Sequence, residues 1–410
     1  VGDPGVDLSA LVVNYNTTRL CLDMLRSLAA QEPRAADGRP LRIEFVFVDN
    51  ASPIRDEAAF AKIEEMAGGG QLPGTVILHE ENSGYARGMN LAYSRAGGRR
   101  VLVLNPDMVF LEGCIERLWR FLDAHPEAGA VGPAGYWERG REVLLPPNVL
   151  PTLGDLWRCT LAHAFPAANR AYMARRLAEA LPVYRAKGPV SLEMLSGACL
   201  MLDRSTIEEI GGLFDPNFPL YYEDTDLFRR IRATGKELFY LPDAHLAHFY
   251  NRSGTTNPKE AMRRYHMARA YYYGKWYGPL GTLSESLCRA FLRTRFATRA
   301  RRKMEARVRD LGDVTEPPVL EFGRRCDRFI LEMCQDAAFL LAAAIFGSGD
   351  RWSPGPSFWE AFGESEYFFR ALSLDGSEPE EIGVFRFRRV PSAQEESVAA
   401  RGRAGVAAEV

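Results

Sequence analysis

The residues that build disulfide or metal frameworks are sparse in this sequence, and none is paired with another. Cysteine occurs seven times, at Cys21, Cys114, Cys159, Cys199, Cys288, Cys326 and Cys334, never as Cys-x-x-Cys. An odd, scattered set reads as reduced thiols of a cytosolic protein and excludes a disulfide scaffold. The six histidines form no His-x-x-x-His pair, which argues against a structural zinc site. The opening Val1-Gly2-Asp3-Pro4-Gly5 shows no basic segment leading into an apolar one, so no signal peptide is expected. The longest clean apolar run, Ala337 to Phe346, is ten residues, too few to span a bilayer. There is no internal repeat, and no strong net charge: 51 basic and 53 acidic residues leave −2 over 410 residues, which argues against a nucleic-acid partner. What remains is an ordinary globular composition, 47% hydrophobic and 25% charged, long enough for more than one packed unit.

The N-terminal part alternates between two patterns. Apolar, β-rich runs stand at Leu8–Asn14, Arg42–Val48, Thr75–His79 and Val101–Leu104. Between and after them, helical spacing appears at Arg19–Ala30, Asp56–Met66, Gly84–Arg95 and Glu112–Ala124. Strands alternating with helices of this length predict an α/β fold with a mixed, mainly parallel sheet flanked by helices. Ligands then bind beyond the carboxyl ends of the strands, where Asn14, Asn16, Asp49, Asn50, Asn105 and Asp107 fall. Residues 136–189 read as a less regular insertion. Glu193–Leu202 is a strand candidate, Thr225–Thr234 a helix stopped by Gly235, and Leu238–Leu241 a strand closed by Pro242. The expected organisation is a catalytic domain over residues 1–255, a helical extension over 256–350 and a linker with a partly disordered tail over 351–410. Within the extension, Cys326, Ile330, Met333, Ala337, Leu340 and Ala344 predict one apolar helix face across Pro318–Phe346.

Four segments carry chemistry. In the first, Asn14-Tyr15-Asn16 and Asp49-Asn50-Ala51-Ser52 end two strands with short polar side chains suited to a base and ribose, Asp49 as an acceptor-only group; the same residues also suit plain turns. The second, Glu81 to Asn90, places Gly84 and Gly88 at a helix start, where a backbone can approach a ligand and free N–H groups favour an anion. Arg87 is placed to meet a phosphate, and a glycine-opened helix is the simpler alternative. The third, Asn105-Pro106-Asp107, offers a carboxylate to a hard divalent cation, or is a strand-ending turn. The fourth, Tyr221-Tyr222-Glu223-Asp224-Thr225-Asp226, sets three carboxylates at a helix start, as a general base or as helix caps. No Gly-x-Gly-x-x-Gly follows the first strand, which excludes a dinucleotide-dependent dehydrogenase. A nucleotidyltransferase would carry a glycine-rich basic loop where Asn14-Tyr15-Asn16 stands.

The ordered set Val-Asn-Tyr-Asn, Val-Asp-Asn-Ala-Ser, Asn-Ser-Gly-Tyr-Ala-Arg-Gly-Met-Asn, Leu-Asn-Pro-Asp, Ser196-Gly197-Ala198-Cys199, Gly212-Leu213-Phe214-Asp215 and Tyr-Glu-Asp-Thr-Asp-Leu resembles family-2 glycosyltransferases of the GT-A fold, most of all a bacterial rhamnosyltransferase branch. The resemblance covers residues 8–255. It implies an inverting transferase acting on a nucleotide-sugar donor and a glycan or lipid-linked acceptor, with Mg²⁺ or Mn²⁺. It assigns Asp224 as base and Glu223 as a residue that positions the acceptor. It assigns Asn14, Asn16, Asp49, Asn82, Gly84, Arg87, Asn90, Asn105 and Asp107 to the donor, and Asp107 with His248 to the metal, His248 being preferred to His245. Asn105 stands where the family carries the first acid of Asp-x-Asp. A non-catalytic sugar-binding protein with a degenerate site is the alternative, against which Asp107 and Asp224 argue. The C-terminal third lies outside the resemblance. From Arg289 to Arg309 it carries nine Lys/Arg and a single acid, Glu305, with Leu292, Phe296, Ala300, Met304 and Val308 recurring every four residues. That pattern suits an anionic membrane surface at the cytosolic face, or an arginine-rich solvated helix.

Overall fold

The computed structural model describes residues 5–69, 72–249, 258–305 and 308–392. The disorder expected of the tail falls largely on residues 393–410, outside that set, as does the start, Val1–Pro4. The chain divides into two compact units, one of residues 1–139, 147–157 and 178–291, the other of 140–146, 158–177 and 292–410.

The first unit is built on a nine-stranded sheet. Its opening half repeats strand and helix: β1 (Leu8–Asn14), α1 (Thr18–Ala29), β2 (Ile43–Asp49), α2 (Glu57–Ala67), β3 (Gly74–Leu78), α3 (Tyr85–Arg95), β4 (Arg100–Leu104). These strands pair in parallel in the order β3-β2-β1-β4. Every residue of β1 is buried: Leu8, Ala10 and Val12 enter one core with α1, while Leu11 and Val13 enter the other with α3. Two covered faces explain why the strand reads as an unbroken apolar run. α2 is started by Asp56, whose side chain accepts from Ala59 N at 2.9 Å.

Beyond β4 the pairing becomes mixed. β5 (Met108–Phe110), α4 (Cys114–Ala124), β6 (Ala128–Tyr136), α5 (Leu153–Ala162), α6 (Pro166–Tyr184), β7 (Val190–Leu192), β8 (Cys199–Asp203), α7 (Arg204–Glu209), α8 (Glu223–Ala233) and β9 (Glu237–His248) follow. The order continues β4-β8-β6-β9-β5, with β7 also on β9. β8 is antiparallel to β4 and β6, β6 is parallel to β9, and β5 is antiparallel to β9. Between β1 and β4 the strand order reverses, which opens a crevice at their carboxyl ends. The α/β sheet with flanking helices is the expected architecture. Two local expectations change. The region expected to be irregular, 136–189, holds α5 and α6. Strand β9 does not stop at Pro242 but runs on to His248, because a register shift at Leu241/His245 accommodates the proline.

α9 (Pro258–Leu292) breaks at Gly278 (φ 59°, ψ −147°) before Pro279. It returns so tightly that a Cβ on Gly281 would lie 2.0 Å from the Tyr273 carbonyl oxygen. Its Lys275 Nζ stands 2.7 Å from both Asp215 Oδ2 and Asp226 Oδ1. The helix therefore belongs to the first unit, and the expected division at residue 255 moves to 291.

The second unit corrects the helical reading of the C-terminal region. After α10 (Arg295–Glu305) come β10 (Arg309–Val314), β11 (Leu320–Cys334), β12 (Ala343–Trp352), α11 (Pro356–Ala361), β13 (Glu366–Ser373) and β14 (Glu380–Arg389). They form a sheet in the order β10-β14-β13-β11-β12. Register shifts interrupt β11 between Glu321 and Cys326 and again before Phe329. Each extra residue resets the two-residue alternation. Buried Cys326 and Phe329 thus fall three apart, a spacing that a helix face also shows. The expected linker and tail after 351 likewise contain α11, β13 and β14, packed through Phe358, Phe362, Phe369 and Phe387. No disulfide joins cysteines among the described residues. Among the described residues no helix is long and apolar enough to cross a membrane.

Candidate active site

The crevice is lined by the ends of β1, β2 and β4, the start of α3 and the start of α8. At its nucleoside side Asp49 is buried, its Oδ1 accepting from Ser52 N (3.1 Å) and its Oδ2 lying 3.5 Å from Arg55 Nη1. Asn14 is fully buried. Its Nδ2 donates to Thr18 Oγ1 (3.1 Å), Ser52 Oγ (3.2 Å) and Asp49 Oδ1 (3.4 Å), and its Oδ1 accepts from Thr17 N and Thr17 Oγ1, both at 2.9 Å. These bonds brace the turn that presents Asp49. Asn16 takes a left-handed backbone (φ 59°), its Oδ1 accepting from Ile54 N at 3.0 Å.

Asn50, expected among the polar strand ends suited to a base and ribose, ties β2 to the loop before α3. Its Nδ2 donates to Asn82 Oδ1 (3.2 Å) and to the Gly84 carbonyl (3.1 Å), while its Oδ1 accepts from Ser83 N (3.2 Å). Asn82 Oδ1 also accepts from Gly84 N at 3.1 Å. Gly84 has φ 89°, and a Cβ there would lie 2.7 Å from the Pro219 carbonyl oxygen, so only glycine serves. Arg87, one turn into α3, is exposed and forms no ion pair among the described residues, which leaves its guanidinium open to an anion beside the helix N-terminus. Asn90 is held by main chain: its Nδ2 donates to Phe214 O (2.8 Å) and its Oδ1 accepts from Phe214 N (3.0 Å), anchoring the Gly-Leu-Phe-Asp turn.

On the β4 side, Asn105 N donates to Ala198 O at 2.8 Å and Asn105 Oδ1 accepts from Tyr85 Oη at 3.1 Å. Asp107 is buried beside His248, whose Nε2 lies 3.2 Å from Asp107 Oδ1. β5 pairs with β9 at Met108 and His248, and that register brings the two side chains together. His245 is engaged elsewhere, its Nε2 contacting Pro242 O at 2.8 Å.

Facing them, Tyr221 (φ 68°) and Tyr222 (φ 67°) both adopt the left-handed region, rare for bulky residues and characteristic of functional sites. This double corner delivers Glu223 and Asp224 to the first turn of α8. Glu223 is buried and its Oε2 has no hydrogen-bond partner among the described residues. Burial, then the neighbouring Asp224 carboxylate, push Glu223 above the usual carboxylate range. Burial raises Asp224 as well, but hydrogen bonds from Thr225 N (2.6 Å) and Thr225 Oγ1 (3.2 Å) to its Oδ1 favour the ionised form. Of these two adjacent carboxyls, Asp224 is the one whose charge is better supported by hydrogen bonds, and Glu223 the one that burial favours in the neutral form. Gly197 makes room for this: a Cβ there would lie 2.4 Å from Asp224 Oδ2. The third acid of the motif is structural. Asp226 is fully buried and receives Arg230 Nε (2.9 Å), Trp276 Nε1 (2.9 Å) and Lys275 Nζ (2.7 Å). A spacing pattern cannot separate it from Glu223 and Asp224, since two of its partners, Lys275 and Trp276, lie in α9.

A crevice with an acceptor carboxylate for a nucleoside, a helix N-terminus for an anion and a split carboxyl pair opposite is what a nucleotide-sugar transferase requires. The Glycosyl transferase family 2 model matches residues 9–177. Residues 9–177 are thus similar to that family, and the chain is a nucleotide-sugar-dependent glycosyltransferase. Among curated proteins it is similar to the N-acetylglucosaminyl-diphospho-decaprenol L-rhamnosyltransferase of Mycobacterium tuberculosis, 29% identical over 223 residues that make up 51% of this chain and 68% of that protein. Among solved structures it is similar to the mannosyltransferase PcManGT from Pyrobaculum calidifontis in complex with GDP-Man and Mn²⁺, with TM-score 0.44 and 17% identity over 75% of this chain and 82% of that one. It is also similar to TarS of S. aureus, with TM-score 0.43 and 13% identity over 95% and 79% of the two chains.

Proposed function

We propose that this glycosyltransferase moves L-rhamnose from dTDP-L-rhamnose, with inversion, to a hydroxyl of a glycan or lipid-linked acceptor in cell-surface polysaccharide synthesis. The mycobacterial relative supports the sugar and the acceptor class. The observation that carries the mechanism is the buried Glu223–Asp224 pair at the start of α8, with Asp224 Oδ1 held by Thr225 and Glu223 Oε2 without a hydrogen-bond partner among the described residues.

Asp224 takes the proton of the acceptor hydroxyl through a carboxylate oxygen. The freed oxygen attacks the anomeric carbon from the face opposite the diphosphate. The carbon–oxygen bond to the nucleoside diphosphate breaks, and its electron pair leaves on that oxygen. Glu223, protonated, orients the acceptor. Asp49 holds the nucleoside, beside Asn16 and Asn82, and Gly84 brings the α3 amides and Arg87 to the diphosphate. Asp107 and His248 would hold a divalent cation, Mg²⁺ or Mn²⁺, which neutralises charge on the leaving diphosphate when bound. Among the described residues no group of three or more His, Cys, Asp or Glu surrounds that position. A pair nevertheless fits, since Mg²⁺-like ions take few protein ligands and keep waters and phosphate oxygens.

The place of work is the cytoplasm, at the inner face of the membrane, with the basic segment around α10 against anionic lipid. The deciding experiment incubates the purified chain with dTDP-L-rhamnose, and with UDP- and GDP-sugars, and resolves the products. Turnover with dTDP-L-rhamnose to the opposite anomeric configuration is expected. Exclusive use of another donor removes the rhamnose assignment, and retention of configuration removes the mechanism.

A further inference from the structure

One side chain joins the donor-facing ends of α3 and β4 and has no part in the scheme above. Tyr85 is the first residue of α3, entered through the constrained Gly84. Its ring packs on Phe214, with centroids 6.0 Å apart. Its hydroxyl donates to Asn105 Oδ1 at 3.1 Å. Asn105 is itself fixed through its main-chain N–H to Ala198 O at 2.8 Å. A carboxamide has an accepting end and a donating end. The phenol engages the first, and Asn105 Nδ2 has no hydrogen-bond partner among the described residues. Around the phenol stand the carboxylates of Glu223, Asp224 and Asp107, which with burial keep it protonated. The phenol is therefore a permanent donor, and the carbonyl oxygen is the end it selects.

We propose that Tyr85 is a positioning residue: it holds the Asn105 carbonyl inward, so that the side-chain N–H₂ donates to an oxygen of the nucleoside diphosphate and Asn105 does not ligate a cation. The inference rests on reading this crevice as the donor site and deepens that reading. An N–H donor and an anionic oxygen make a charge-assisted bond, stronger than a neutral one. A carboxylate at the same place would add a negative group beside Asp107 and Asp224, and would repel the diphosphate. Asn105 is thus more than a weakened acid. Neutrality and polarity are both required there, and Tyr85 sets the polarity.

The test is calorimetric titration of the full chain with dTDP, UDP and GDP, first in EDTA and then with Mn²⁺, with melting curves to confirm folding. Tyr85→Phe and Asn105→Ala should each weaken the best-bound nucleoside diphosphate about 10-fold in EDTA. The double variant should be no weaker than Asn105→Ala, because the hydroxyl acts only through the amide. Asn105→Asp should bind more weakly still, with or without Mn²⁺. In turnover, Tyr85→Phe should raise the donor KM more than it lowers kcat. Tighter Mn²⁺-dependent binding by Asn105→Asp would show a metal-ligating position and overturn the proposal, as would Tyr85→Phe binding within twofold of wild type. Wild type that binds none of the three nucleoside diphosphates would instead remove the donor-site reading, and the inference with it.

Discussion

Replacing Gly197 by alanine tests the base without touching it. A Cβ at this position would stand 2.4 Å from Asp224 Oδ2, 2.7 Å from its Cβ and 2.9 Å from its Cγ. Ordinary contacts require at least 3.4 Å, so the Asp224 side chain must retreat by about 1 Å, and since its own Cβ is crowded a rotamer change alone does not relieve the clash. Gly197 is not among the positive-φ glycines, so alanine carries no backbone strain there. The effect is therefore steric and directed at the base. A misplacement of about 1 Å at a reacting group costs about 10²-fold in rate, and the overpacking costs about 1–3 kcal/mol of stability. The assay is kcat at saturating donor and acceptor, run well below the melting temperature, beside Asp224→Asn, for which loss of the base predicts about 10²–10⁴-fold. Nucleoside diphosphate affinity should stay close to wild type in both. Combining Gly197→Ala with Asp224→Asn should cost no more than Asp224→Asn alone. A folded Gly197→Ala enzyme with kcat within twofold of wild type would refute the placement of Asp224 as base.

Three further outcomes are expected. Burial holds the Glu223 carboxyl above its unfolded value, so the stability it contributes is present while it stays protonated and is lost as pH rises through its folded value. Glu223→Gln should therefore melt close to wild type at about pH 5 and above it at about pH 9, while transfer falls; equal melting temperatures across that range would contradict the buried-acid account. Asp107→Ala and chelation with EDTA should both lower activity, and Asp107→Ala should weaken donor binding more than acceptor binding; full turnover after exhaustive chelation would remove the cation. Around α10, Phe296 is 56% exposed and Arg299 and Arg302 are exposed, whereas Arg301 pairs with Asp336. Wild type should sediment with anionic liposomes at low salt and less at high salt, and a variant with Arg299, Arg301, Arg302 and Lys303 changed to Gln should do so less; negligible sedimentation of wild type with anionic and neutral liposomes alike would return α10 to ordinary helix packing.

The readable part of this protein is the part where chemistry is local. Strands such as Leu8–Asn14 are buried on both faces and so appear as unbroken apolar runs. Turns at their carboxyl ends must be polar, and thus Asp49 and Asp107 could be singled out from their neighbours along the chain, as Asp224 could at a helix start. The C-terminal sheet was illegible for an equally local reason, since the bulges of β11 impose a helical spacing on buried residues of a strand. The direction in which a polar side chain points is not local at all. Asn14 and Asn90 look like ligand-binding amides, but one faces Asp49, Thr18 and Ser52 while the other faces the backbone of Phe214. Asp226 looks like its catalytic neighbours until α9 delivers Lys275 and Trp276 to it. Gly197 and Tyr85 acquire meaning only from Asp224 and Asn105, far along the chain. Amino-acid order by itself determined the α/β frame, the family resemblance and the carboxylates available to the site, because burial and turn formation act over a few neighbouring residues. Which of those carboxylates is free, which is charged and which merely holds a helix was decided by tertiary structure, because hydrogen-bond partners and desolvation come from whatever the fold packs against them.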